Sequence, residues 1–319
     1  MAIAPDYADV YKKKDASNWI GNSDEPLEGF SWKNGPNRDT TGVLMWSEVF
    51  LHEDGDENIA IVLLDTQGVF DGKTSQKNCA VIFALSALLS SVQIYNLSEN
   101  IQEDDFQNLQ LFTEYGRLAL KKSIHKPFQE LVFLVRDWYY AYTYEYGPIG
   151  GNRLLHTLLQ INDNQPEELS SVRKHLKNCF SNIECFLMPH PGLEMVQNEN
   201  FNGKLDEISE EFLEQLKILV HMVLSPTKLK VKEVNGEKVR FKELVRYFKV
   251  YLNVLTGDEL PEPMSVLNAT ADVDHLKILS ECKEIYEKEM RKICNEKELL
   301  TTEDFRKYHD HIKSKLLEQ

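Results

Sequence analysis

Residues 59–75 read IAIVLLDTQGVFDGKTS. Ile59–Leu64 is an unbroken apolar run, without the alternation that marks a strand with one wet face. Such a run predicts a strand covered on both sides, in the middle of an α/β sheet. It stops on Asp65, and Gly68 and then Gly72-Lys73-Thr74 follow. A lysine and a threonine after glycines raise the question of a phosphate-cradling loop, whose pattern is G-x-x-x-x-G-K-[ST]. The spacing fails: the first glycine belongs at position 67, which is Gln67, and Gly68 is one residue too late. Asp71 would also set a carboxylate among the amides meant for phosphate. The other Gly-Lys pair, Gly203-Lys204, is followed by Leu205 and fails too. Gly72-Lys73-Thr74 therefore reads as a flexible turn before the next helix. What remains is Asp65-x-x-Gly68. An acid at a strand end can hold the water shell of a phosphate-bound Mg2+, and a glycine N–H can approach a terminal phosphate unobstructed. In isolation the same four residues read more simply as a turn leading from a strand into a capped helix.

Around this stretch the chain alternates between the two periods. VLMWSEVFLH (43–52) is a strand-like run joined to 59–64 by the turn EDGDEN, which predicts an antiparallel hairpin. Ala80, Phe83, Ala84, Ala87 and Leu88 recur at helical spacing over 76–90. VQIYNL (92–97) is a strand, and residues 98–120 form a helix with acids early and bases late, as the helix dipole favours. A buried strand over 131–135 ends on Arg136-Asp137. Helices near 150–160 and 167–178 follow, then a strand in IECFLMPHPG (183–192), stopped by Pro189 and Pro191. Residues 204–225 read as helix, Asn235-Gly236 as a hairpin turn, and 241–255 as helix. TGDELPEP (256–263) reads as a linker, and 265–319 as two amphipathic helices separated near 295–302. The expected fold is α/β: a mixed, mainly parallel sheet with helices on both faces, followed by a partial helical bundle. Ligands in such folds bind at the carboxyl ends of the strands. Three of those ends carry polar punctuation: Asp65-Thr66-Gln67-Gly68, Arg136-Asp137 and His190-Pro191-Gly192.

Composition narrows the function. With 42% hydrophobic and 27% charged residues, 319 residues can bury a sizeable core. A net charge of −15 argues against a nucleic-acid groove, though not against a small anionic ligand held by backbone N–H groups. The five cysteines form no CxxC pair and read as thiols in a reducing compartment. No apolar run reaches the ~18 residues of a membrane span.

Two further pieces bear on chemistry. Arg38-Asp39-Thr40-Thr41-Gly42 precedes the first hairpin strand, and a loop threonine can ligate Mg2+ and sense a terminal phosphate. Alone it reads as an exposed turn. Arg136-Asp137 offers a carboxylate that can accept hydrogen bonds from a guanine edge, or reads as a surface ion pair.

In this order the pieces resemble the atlastin family, dynamin-superfamily GTPases with a guanylate-binding-protein type G domain. GFSWKNGPNRDTTG, LLDTQGVFD, FALSALLSSVQIYNLSENIQEDDFQNLQLFTEYGRLA, PFQELVFLVRDW, CFLMPHPGL and ELPEPMSVLNATA are all similar to atlastin segments, from about Asp15 to about Cys294. The VRDW strand end is specific, since most GTPases carry Asn-Lys-x-Asp there. The resemblance implies GTP or GDP and Mg2+ as ligands. It makes Thr40 or Thr41 the switch threonine on Mg2+ and Asp65 and Gly68 the D-x-x-G element. Arg136 and Asp137 become the guanine-recognising pair, and His190 lies near the base-capping loop. It further implies a G domain over 1–255, a linker over 256–263 and a partial helical middle domain over 264–319. Dimerisation through the G domain, as homodimer or heterodimer, is implied too, as is action in the cytosol, tethering and fusing endoplasmic-reticulum membranes.

The sequence departs from the family pattern in three ways. The segment ahead of Asp15, MAIAPDYADVYKKKD, has no glycine and is too short for the family's strand, P-loop and helix, which need roughly 25–30 residues. The family's catalytic arginine is expected to be missing with that loop. Gly72-Lys73 replace residues that are polar and non-glycine in the family, and only about two middle-domain helices are present. Because the phosphate cradle supplies most of the electrostatic stabilisation in phosphoryl transfer, this chain alone is expected to bind GTP weakly and hydrolyse it negligibly. The alternative is a non-catalytic interaction protein that modulates an intact partner.

Overall fold

The computed structural model describes residues 20, 29–31, 39–54, 57–68, 76–110, 126–161, 165–255, 263–296 and 301–317. The Gly72-Lys73-Thr74 turn, the stretch ahead of Asp15 and most of the 256–263 linker lie outside the described residues.

The predicted hairpin is present but interrupted. β1 (Val43–Met45) and β2 (Phe50–Asp54) return as β3 (Glu57–Ile61) and β4 (Leu64–Thr66), with β2 antiparallel to β3 and β1 antiparallel to β4. Residues 46–49 of the outgoing arm stand opposite only 62–63 of the returning one. The two extra residues make a bulge, across which the Trp46 N–H still donates to Leu63 O at 3.0 Å. The run 59–66 is half-buried throughout rather than enclosed. The reason is its neighbourhood: among the described residues β4 is paired with β1 and is not joined to β5.

The centre of the molecule is a parallel three-stranded sheet, β5 (Val92–Ser98), β6 (Phe128–Arg136) and β7 (Phe180–Leu187), in that order. Its middle strand alternates between two cores. Leu131, Phe133 and Val135 pack with Phe83 and Ala87 of α1 (Gln76–Leu89), Phe106 and Leu109 of α2 (103–110), Leu155 of α3 (Gly147–Leu158) and Leu176 of α4 (Glu167–Cys179). Leu134 packs on the opposite face with Phe186 and with Phe212 and Leu219 of α6 (Glu210–Leu224). Helices thus cover both faces, as expected of an α/β sheet.

Two boundaries differ from the sequence expectation for tertiary reasons. β7 begins at Phe180 rather than Ile183, because α4 passes directly into it: Phe180 is already extended (φ −105°, ψ 138°) while its N–H caps Leu176 O. The predicted helix over 204–225 is split into a 3-10 turn, Leu205–Glu207, and α6. Ser209 between them is extended and donates its N–H to Pro191 O at 2.7 Å, which fastens the loop after β7. Between Pro191 and Ser209 the chain also forms the short helix α5 (Leu193–Gln197).

The far edge of β7 is closed by α3 rather than by another strand. Asn152 Oδ1 accepts the Cys185 N–H at 2.9 Å, and Gly147 bridges Leu187. So close an approach needs glycine: a Cβ on Gly151 would lie 2.2 Å from Cys185 O, and one on Gly150 1.9 Å from Glu145 O. The sequence YGPIGGN is therefore an edge-protecting device, which blocks further strand pairing.

The Asn235-Gly236 turn is found as predicted, joining β8 (Glu233–Val234) to β9 (Glu237–Lys238), with both residues at positive φ (54° and 84°). Gln129 at the foot of β6 holds this hairpin, donating to Val231 O at 2.7 Å and accepting the Glu233 N–H at 2.9 Å. Helix α7 (Phe241–Leu255) then packs Tyr247, Tyr251 and Leu255 against Leu85 and Leu89 of α1 and Val273 of α8 (Pro263–Glu296). Polar contacts fix that seam. Asp274 accepts from the Tyr247 hydroxyl at 2.5 Å and the Asn235 amide at 3.2 Å, Tyr251 and Thr270 share a 2.9 Å hydrogen bond, and Lys277 pairs with Glu237 at 2.8 Å. Burial and the Asp274 partner push the Tyr247 hydroxyl well above the usual phenol range. Helix α9 (Thr302–Leu317) starts on a cap in which Thr301 Oγ1 accepts the Asp304 N–H, and folds onto α8 through the 2.7 Å Tyr286–His309 contact.

Two stability outcomes follow. Gly151→Ala must push α3 off β7 and is expected to cost about 1–3 kcal/mol. Gly68→Ala, where an added Cβ meets nothing within 4 Å, is expected to stay within about 0.5 kcal/mol of the wild type. Urea unfolding midpoints of the two variants check the contrast. Asp274→Ala strands the buried Tyr247 hydroxyl and is expected to cost about 2–3 kcal/mol, with Tyr247→Phe costing less. Hydrogen exchange within 263–296 should accelerate in the same order.

Candidate functional site

The first group of candidate residues is zipped across the β1–β4 pair. Thr40 Oγ1 donates to Asp65 Oδ2 at 2.6 Å. Next to it, Gly42 N–H donates to Gln67 Oε1 at 2.8 Å, and Gln67 N–H returns to Gly42 O at 2.9 Å. Gly42 has φ +75°, which lets the loop turn into β1. Thr41 is exposed and is not in this network. The doublet left open by the sequence is thus asymmetric here: Thr40, not Thr41, meets Asp65. Gly68 stands exposed just beyond, with open space where a side chain would be.

The second group is at the carboxyl ends of β5 and β6. The register pairs Ser98 with Arg136. Arg136 O accepts the Glu99 N–H at 2.7 Å, and the Trp138 N–H donates to Met188 O at 3.0 Å. Asp137 is the residue between those two clamps, and it has φ +57°, in the left-handed region that non-glycine residues seldom occupy. Its carboxylate accepts the Ser98 hydroxyl at 2.9 Å and lies 3.6 Å from Arg136 Nη1. Arg136 itself donates through Nε to Asn96 Oδ1 at 2.6 Å. Trp138 anchors the following turn by donating Nε1–H to Tyr144 O at 2.9 Å.

His190 is on the loop that leaves β7 at the same end of the sheet. Met188 N–H donates to Val135 O at 2.8 Å, which continues the β6–β7 ladder past the strand. His190 Nδ1 then accepts the Gly192 N–H at 3.1 Å, and Gly192 adopts φ +126°. The structure therefore gathers Arg136, Asp137 and the His190 loop at one end of the parallel sheet, and Thr40, Asp65 and Gly68 on the neighbouring antiparallel pair. A cleft of about 480 Å3 lined by Tyr144, Asn152, Arg153, His156 and Thr157 lies on α3, apart from both groups.

Sequence reasoning did not single out Gln67, Asn96 and Ser98. Asn96 and Ser98 alternate on one edge of β5, but their value comes from the β5–β6 register, which a sequence does not print. Gln67 sits inside the D-x-x-G element, at a position that motif leaves unspecified.

Thr40 Oγ1 and the Asp65 carboxylate are hard oxygen donors of the kind that suit Mg2+, which keeps several waters and takes one or two protein ligands beside a phosphate. Among the described residues no group of three or more His, Cys, Asp or Glu could hold a metal ion by itself. A site completed by water and phosphate oxygens therefore fits better than an all-protein cage. No helix among the described residues is long and apolar enough to cross a membrane.

The guanylate-binding protein N-terminal domain family matches residues 10–233. The chain is 51% identical over 312 residues to atlastin of Drosophila melanogaster, covering 97% of this chain and 58% of that protein. It is 49% identical over 302 residues to atlastin-1 of Macaca fascicularis (94% and 54%), and 49% identical over 313 residues to atlastin-3 of Homo sapiens (97% and 58%). The chain thus spans a little over half the length of the curated relatives it matches. On the family match over 10–233 and these identities along nearly its whole length, the chain belongs to the guanylate-binding protein family of GTPases and, within it, to the atlastins.

Proposed function

We propose that this chain carries the guanine-nucleotide-recognising part of an atlastin-type GTPase. In this reading the whole protein dimerises through its G domain to tether and fuse endoplasmic-reticulum membranes from the cytosolic side. The observation that supports it is Asp137, held at φ +57° between two backbone clamps with its carboxylate at the strand-end crevice. Strain of this sort costs of order 1–3 kcal/mol and clusters at binding sites.

In this reading Asp137 accepts hydrogen bonds from the donor edge of guanine, Arg136 flanks it, and the His190 loop lies over the base. Thr40 and Asp65 hold the Mg2+ side, where the bound ion would neutralise charge on the β- and γ-phosphates. The Thr40–Asp65 hydrogen bond then brings the switch loop and the D-x-x-G strand to one point, and the Gly68 N–H has an open approach to the terminal phosphate. Residues up to 255 form the G domain and those from 264 the start of a helical middle domain.

The sequence contains no G-x-x-x-x-G-K-[ST] match. The second reading is a non-catalytic interaction protein that modulates an atlastin-type partner.

A fluorescent GTP analogue titrated onto the purified chain separates the two. The first reading expects saturable, Mg2+-dependent binding that Asp137→Ala weakens by about 10- to 100-fold, the equivalent of about 1.5–3 kcal/mol for hydrogen bonds to a charged group. Thr40→Ala should reduce the Mg2+ dependence, and Thr41→Ala should leave it intact. Turnover by the chain alone should be negligible. Absence of any specific binding would leave only the interaction-protein reading standing.

A further inference from the structure

We infer that Ser98 and Asn96, two neutral side chains on β5, are positioning residues that set guanine selectivity by aiming Asp137 and holding Arg136 to a loose ion pair with it. The inference rests on the reading of Asp137 as the guanine acceptor and adds to it what determines the carboxylate's orientation.

Adjacent residues of opposite charge at a half-exposed strand end would ordinarily close into a hydrogen-bonded pair. Here the pair is looser: Arg136 Nη1 is at ion-pair range, 3.6 Å from Asp137 Oδ2, beyond hydrogen-bond range. The cause is on the next strand. Asn96 Oδ1 draws Arg136 Nε to 2.6 Å, which turns the guanidinium along β5. Ser98 Oγ donates to Asp137 Oδ2 at 2.9 Å. An ionised carboxylate offers about four acceptor sites on its two oxygens. Ser98 takes one of them on Oδ2, and no described donor takes those on Oδ1. The carboxylate is thereby oriented with acceptor sites left over, and the arginine beside it contributes an ion pair without taking a hydrogen bond.

Parallel register makes this possible. Asn96 pairs with Leu134 and Ser98 with Arg136, so both polar side chains stand on the β5 face beside the end of β6. The backbone leaves little other freedom. Asp137 lies between the Glu99–Arg136 and Trp138–Met188 hydrogen bonds, so the remaining variable is the side-chain torsion that Ser98 fixes. Guanine presents two donors on its Watson–Crick edge, N1–H and the 2-amino group. Inosine lacks the second. A carboxylate held in plane with the base gains from both, and a carboxylate free to rotate onto Arg136 loses the advantage of the second.

The test compares fluorescent GDP and IDP analogues binding to the full 319-residue chain. The wild type is expected to prefer GDP by tenfold or more. Ser98→Ala is expected to cut that preference at least fivefold while its urea midpoint stays at the wild-type value, because Ser98 is exposed. Ser98→Thr, which keeps the hydroxyl, should restore the preference. Asn96→Ala should also lower it, by releasing Arg136 toward Asp137. A uniform weakening of both analogues, with their ratio unchanged, would mean a structural role and overturn the inference. So would a wild-type ratio in Ser98→Ala when Asp137→Ala has lost it. A wild type with no preference for GDP overturns the underlying reading of Asp137 instead.

Discussion

β6 is the strand on which the other elements are built. It is hydrogen-bonded on both edges and packed on both faces, with Leu131, Val132, Phe133 and Val135 fully buried. A strand in that position cannot slip by one residue, because the shift would exchange the residues facing its two cores. It also cannot end gradually. Pairing with β5 continues to Arg136 and pairing toward β7 is resumed at Trp138, so a single residue must turn the chain. Asp137 does this in a left-handed conformation. The position that topology forces into strain is therefore the one that carries the acidic side chain at the mouth of the sheet.

Much of this frame was legible in the sequence because periodicity reports burial directly. The parallel strands, α1, α3, α4 and α7, the Asn235-Gly236 turn and the paired C-terminal helices fall close to where the pattern puts them. The boundaries that moved did so for tertiary reasons. Phe180 joins β7 because α4 ends directly against the sheet, and Ser209 breaks a helical pattern because Pro191 O captures its N–H. The bulge between β1 and β2 has no signature beyond ordinary strand-formers. It is a mismatch of two residues between arms, visible once the register is known.

The site was legible in part for a similar reason. Motifs name residues by type and spacing, so Asp65, Arg136 and Asp137 stand out, whereas residues that hold them do not. Gln67 braces Gly42, Asn96 restrains Arg136, and Ser98 orients Asp137, each across a strand pair or a loop. The choice between Thr40 and Thr41 also turns on geometry. Two adjacent threonines on an extended loop face opposite ways, and the sequence carries no information on which of them meets Asp65.

The acidity of the chain bears on how such a site could hold an anion. A net charge of −15 opposes a nucleotide triphosphate in principle, but exposed charges beyond the Debye length of about 8 Å are largely screened. What counts is the local arrangement, and here each carboxylate is directed toward donors. In the proposed reading Asp137 faces a base, which carries N–H groups rather than phosphate charge. Asp65 faces a hydroxyl, and in the same reading a divalent cation. Both acidic residues would then meet the positive partners of a Mg2+–nucleotide complex. In that reading backbone N–H groups, such as that of Gly68, and the cation favour the phosphates. An acidic surface and a guanine-nucleotide site are compatible on those terms, because the two carboxylates face the ligand's N–H groups and cation rather than its phosphates.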